Sequence, residues 1–130
     1  DESEILPGVL KVLEYLKSKN QFISLGSASK NARPILEKTN IMHFFDAIVD
    51  GNDVSNAKPD PEVFLRAAQL VGVFNQNAIV FEDSVAGIQA ANIANMISVG
   101  IGDATVLHEA KYNFKDFTFM DEAFLSQLIG

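Results

Sequence analysis

The stretch "NAIVFEDSVAGIQAANIAN", Asn77 to Asn95, decides the fold. An apolar run, Ala78 to Phe81, is too short for a helix and is followed by two acids, so it reads as a buried strand ending in Glu82 and Asp83. The small residues after Ser84 then read as a helix that packs closely on that strand. A strand that turns directly into a helix is the building block of a parallel sheet.

The flanking sequence repeats the pattern. The segment Gly8 to Lys19 carries Val9, Leu10, Val12, Leu13 and Leu16 at helical spacing, with Pro7 at its start. "QFISLG" follows as a short buried strand, "SKNARPILEKTN" as a helix with Pro34 in its first turn, and "FFDAIVDG" as another strand. "GNDVSNAKPDP" is a loop by composition, Glu62 to Val71 is a helix, and "MISVGIG" is a strand. The tail predicts a short strand around Phe117 to Met120 and an amphipathic helix in "DEAFLSQLIG". His108 falls in a stretch that reads as polar helix. The fold class is therefore α/β, a Rossmann-like parallel sheet with helices on both faces.

Composition narrows the function. With 130 residues, 48% of them apolar, the chain builds one core and not two. A net charge of −7 disfavours nonspecific binding to nucleic acid or anionic membrane, so any phosphate site must be local. Cysteine is absent, which excludes disulfides and thiolate metal sites. The acidic start "DESEILPG" is unlike a signal peptide and no apolar run is long enough to span a bilayer, so a cytoplasmic protein is the expectation.

In open parallel sheets the ligand sits beyond the carboxyl ends of the strands, and three polar clusters fall at or just after such ends. Ser27, Ala28, Ser29, Lys30 and Asn31 combine hydroxyls, backbone N–H groups at a helix start and one ammonium, the ingredients of a phosphate cradle. The alternative is that Ser29 or Asn31 only caps the helix. Lys58 lies in "AKPDP", where prolines on either side of Asp60 stiffen a loop that presents a compact positive charge. Glu82 and Asp83 are adjacent acids at a strand mouth, a repulsion that a hard cation offsets. Asp83 as the cap of the following helix is the alternative reading. Arg33 stands where it can add charge near the Ser29-Lys30-Asn31 turn, with an exposed helix residue as the preferred reading, and His43 reads as a helix-end or partly buried residue beside Phe44.

Taken in order, "SLGSASKN", "AKPDP" and "VFEDSVAGIQAA" resemble the haloacid dehalogenase-like superfamily, most closely its β-phosphoglucomutase branch, over nearly the whole chain. The resemblance implies that Ser27 hydrogen-bonds the phosphoryl group being transferred and that Lys58 neutralises it. It also implies that Asp83, with Glu82, holds Mg²⁺. Ser29, Lys30 and Asn31 resemble the turn that grips the phosphate not being transferred, which a mutase needs and a hydrolase does not. The implied activity is conversion of β-glucose 1-phosphate to glucose 6-phosphate through an aspartyl-phosphate, or hydrolysis of a related sugar phosphate.

The sequence departs from the family in one large respect. The D-x-D strand that carries the nucleophile and the general acid/base, and the helical cap after it, have no counterpart before Ser27. The expectation is a single core-domain fragment over 1–130, inactive alone. In the family the absent strand lies between the Phe22 to Gly26 and Ala78 to Phe81 strands, so its loss leaves two open edges. Those edges offer a third reading, a noncatalytic piece that self-associates or binds a partner through them.

Overall fold

The computed structural model describes residues 7–27, 29, 30 and 32–130, without the side chain of Ile35. Five helices and five strands follow one another along the described chain, alternating up to β4: α1 (Val9–Ser18), β1 (Ser24–Gly26), α2 (Ala32–Thr39), β2 (Ala47–Val49), α3 (Glu62–Leu70), β3 (Ile79–Glu82), α4 (Val85–Ile93), β4 (Ile97–Ile101), β5 (Tyr112–Phe114) and α5 (Glu122–Ile129). Every strand pairing is parallel.

The strands form two sheets, β1–β2 and β3–β4–β5, so the α/β layer is parted between β1 and β3. That seam lies where the sequence leads one to expect the absent strand. Apolar packing spans it on one face, where Val63, Phe64, Ala67 and Ala68 of α3 share a core with Val49 of β2, Val80 of β3 and Ala90, Ala91 and Ala94 in and after α4. A second core gathers Val12 of α1, Val99 and Ile101 of β4, Phe117 and Met120 from the segment before α5, and Leu125 of α5. Helices therefore cover both faces, as a parallel sheet requires.

Local chemistry explains the helix starts. Ser84 caps α4 by accepting from the Gly87 N–H at 3.0 Å, and Asp121 caps α5 by accepting from the Phe124 N–H at 2.8 Å. Ser84 thus takes the capping role that the sequence offered to Asp83.

Two tail expectations are corrected. The strand expected near Phe117 is a short 3₁₀ turn, Phe117–Phe119, because the Asp116 side chain accepts from the Thr118 N–H at 2.8 Å and closes the backbone there. The strand lies earlier, at Tyr112–Phe114, where it pairs with Val99–Ile101. His108 sits among turns and not in a helix. No described helix is long and apolar enough to cross a membrane.

Candidate functional site

Lys58 is where the clusters meet. Its Nζ donates to Glu82 Oε2 at 2.8 Å and to the Gly26 carbonyl at 3.4 Å, so one ammonium joins the carboxyl ends of β1 and β3. The pair is nearly enclosed, with Lys58 and Glu82 side chains 13% and 10% exposed. Phe64 of α3 lies beneath the ammonium, 4.9 Å from Nζ to ring centre, a favourable cation–π arrangement. The same ring explains Gly26, since a β-carbon there would stand 3.1 Å from Phe64 Cδ1.

The loop that presents Lys58 is held by Glu62, the first residue of α3. Its carboxylate accepts from the Ser55 N–H at 3.0 Å and the Asn56 N–H at 2.9 Å. These bonds, the Ser55 one foremost, hold the Glu62 carboxyl below its ordinary value of 4.5. A depressed folded-state value means the tether is present above the ordinary value and is lost as pH falls through the lowered one. We expect amide exchange at Ser55 and Asn56 to accelerate as pH falls below the ordinary glutamate value of 4.5 and through the lowered one, beyond the intrinsic pH dependence. In Glu62→Gln that extra acceleration disappears; its persistence would detach the loop from Glu62.

Ser27 directly follows Gly26. Its N–H donates to the Val49 carbonyl at 2.8 Å, fixing it at the mouth of β1–β2. Its Oγ accepts from the Ser29 N–H at 3.1 Å, which leaves the hydroxyl proton able to donate outward. Lys30 is exposed. Ala28 and Asn31, the other members of the expected cradle, lie outside the described residues.

A buried group that sequence reading missed shapes this turn. Asp50, 3% exposed at the end of β2, pairs with Nη1 of Arg33. Arg33 also donates from Nη2 to the Ile48 carbonyl at 3.0 Å, which corrects its reading as a merely exposed helix residue. Asp50 Oδ1 accepts from the Asn52 N–H at 2.9 Å, closing a tight turn. From that turn the Gly51 N–H reaches the Ser29 carbonyl at 3.1 Å, and Asn52 Nδ2 reaches the Lys30 carbonyl at 3.3 Å. The signal was the run of Gly, Asn and Asp after β2, but a turn composition does not tell which neighbouring loop it braces.

Glu82 ends β3 and Asp83 follows outside the strand, so the two escape the alternation of a regular strand. Glu82 is already engaged. Oε1 accepts from the Asp83 N–H at 3.1 Å and the Ser84 hydroxyl at 3.2 Å, and Oε2 takes Lys58. The Asp83 carboxyl is raised above its ordinary value, mainly by desolvation, then by hydrogen bonding to Glu82 and by its charge. A cation would relieve that state.

Among the described residues no three of His, Asp and Glu converge as a metal site. With both Glu82 oxygens engaged, Asp83 is the carboxylate at this strand mouth whose chemistry suits a hard cation, an ion such as Mg²⁺ commonly taking one or two protein carboxylates and completing its shell with water and phosphate oxygens.

β-Phosphoglucomutase of Bacillus subtilis is 41% identical over 99 residues, covering 76% of this chain and 44% of that protein. Fructose-1-phosphate phosphatase YqaB of Escherichia coli is 38% identical over 101 residues, covering 78% and 54%. The crystal structure of β-phosphoglucomutase from Clostridium difficile superposes with a TM-score of 0.93 at 39% identity, over 98% of this chain and 57% of that one. The chain spans about half the length of the curated relatives it matches. Residues 1–101 match the family model of the haloacid dehalogenase-like hydrolases, so the motif order, the parallel α/β layer and the sequence match converge, and the chain belongs to that family.

Proposed function

We propose that this chain is a core portion of a Mg²⁺-dependent sugar phosphomutase that converts β-glucose 1-phosphate to glucose 6-phosphate. The observation that carries the reading is the Lys58 ammonium, nearly buried between Glu82 and the carbonyl of Gly26, the residue before Ser27. A fixed positive charge in a place poor in water stabilises a transferring phosphoryl group more strongly than a mobile surface lysine does.

Each residue has a role in this scheme. Ser27 donates its hydroxyl proton to the phosphoryl group, and Lys58 neutralises it together with the attacking carboxylate. That carboxylate, the Asp that becomes the aspartyl-phosphate, is supplied by a segment other than these 130 residues, so the chain alone has no turnover. Asp83, with Glu82 behind it, contributes oxygens to Mg²⁺, which when bound neutralises charge on the phosphoryl oxygens. The turn Ser29 to Asn31 grips the second phosphate. Its bracing by Gly51 and Asn52 supports a mutase, because the bisphosphate must be held at its far end while it reorients.

The test uses the complete protein with β-glucose 1-phosphate, Mg²⁺ and a trace of the bisphosphate, following glucose 6-phosphate and free phosphate together. Glucose 6-phosphate without matching free phosphate is expected. Free phosphate with no isomer would make the protein a sugar phosphatase and leave the Ser29 to Asn31 turn as an ordinary anion site. Concentration-dependent association with neither product would favour binding through the open strand edges.

A further inference from the structure

Gly87 lies buried in the first turn of α4, five residues beyond Glu82, and the space where its side chain would stand is filled by the Glu82 carboxylate. A β-carbon at Gly87 would sit 2.0 Å from Glu82 Cδ, 2.1 Å from Cγ and 2.3 Å from Oε2. The backbone of Gly87 is helical and makes no demand for glycine, since the positive-φ glycines lie elsewhere. What requires glycine is the carboxylate resting against it.

The contacts continue on both sides of that seat. The Gly87 N–H donates to Ser84 Oγ at 3.0 Å, and the Ser84 hydroxyl donates to Glu82 Oε1 at 3.2 Å. Glu82 Oε2 accepts from Lys58 at 2.8 Å, and Lys58 also reaches the Gly26 carbonyl. The α4 amino end, with its partial positive charge, favours a carboxylate there. From this geometry we infer that Gly87 is a positioning residue for the lysine: its missing side chain seats Glu82, and Glu82 aims the Lys58 ammonium at the mouth of β1 and β3. The catalytic half of this inference rests on the proposed role of Lys58; the seat itself does not.

A β-carbon at 87 must push the carboxylate off the helix, and Lys58 loses its aim with it. Both are expected to show in a cycle of Gly87→Ala, Glu82→Ala and the double variant, made in the complete protein. Gly87→Ala is expected to lower kcat about 100-fold, the scale of a displacement near 1 Å in a positioned group, while KM changes little. In the Glu82→Ala background the same substitution should change kcat less than twofold, because the displaced group is already gone.

Stability gives a second, independent sign. Alanine is the better helix former, so Gly87→Ala should raise the urea midpoint in the Glu82→Ala background and lower it when Glu82 is present. Equal effects of Gly87→Ala in the two backgrounds, on both kcat and midpoint, would overturn the inference. If the complete protein transfers no phosphoryl group, the role of Lys58 fails, and the midpoint reversal still tests the seat. Should Gly87→Ala alone not fold, recovery of folding in the double variant supports the seat, and failure of the double variant where Glu82→Ala alone folds refutes it.

Discussion

Lys58→Ala in the complete protein should lower kcat by about 10²- to 10³-fold, the loss typical of removing one preorganised charge-stabilising donor. From the sequence, a lysine in a stiff loop at a strand mouth is expected to cost turnover far more than folding stability when removed. The structure revises that expectation. Lys58 and Glu82 are 13% and 10% exposed, and removing the cation leaves a nearly buried carboxylate unpaired, which costs about 3–5 kcal/mol unless the carboxylate takes up a proton or reorients. The two effects can be separated by changing both partners. Lys58→Met with Glu82→Gln should recover most of the stability, as judged by the urea midpoint, and none of the turnover. Recovery of turnover in that pair would remove Lys58 from the chemistry and leave it a structural tie between β1 and β3.

Lys30→Ala should instead raise KM for β-glucose 1-phosphate by about 10- to 100-fold, the value of one hydrogen bond to a charged group, with kcat changed far less. The reason lies in where Lys30 is held. Its backbone carbonyl is fixed by Asn52 at 3.3 Å while its side chain is exposed, so truncating the side chain removes a phosphate contact without releasing the turn. Lys30→Arg, which keeps the charge, should restore much of the affinity. An unchanged KM in Lys30→Ala would show that the second phosphate is held elsewhere, and would leave the assignment of Ser27 and Lys58 untouched.

The elements that could be read from the sequence are those whose partners lie within one turn or one strand. Helix α3 was legible because Val63, Phe64, Ala67 and Ala68 recur at helical spacing, and all four are buried. Strand β3 was legible because an apolar run stops at two acids, and it ends at Glu82. Strand β5 was not, since Tyr112 and Asn113 are exposed and only pairing with β4 makes three residues a strand. The site divides in the same way. Ser27, Lys58 and Glu82 stand at strand ends or in a proline-bounded loop, and those settings are visible in the chain. The Arg33–Asp50 pair spans 17 positions and depends on α2 crossing the end of β2. The need for glycine at 87 depends on which way the Glu82 side chain turns, and no spacing rule reports that.

The parting between β1 and β3 bears on how the molecule moves. Hydrogen-bond ladders are directional and fix register, whereas the apolar layer of α3 and α4 that joins the two sheets holds them by contact alone. Such a layer permits small sliding at little cost where a ladder would break. In the 130-residue chain the two ladders are thus joined by apolar contact and, at their mouth, by the Lys58 bond to Glu82, and a strand seated in the seam of the complete protein would replace that loose joint by hydrogen bonds. Amides inside the two ladders should exchange only through larger openings, while those bordering the seam exchange through small relative motions of the ladders.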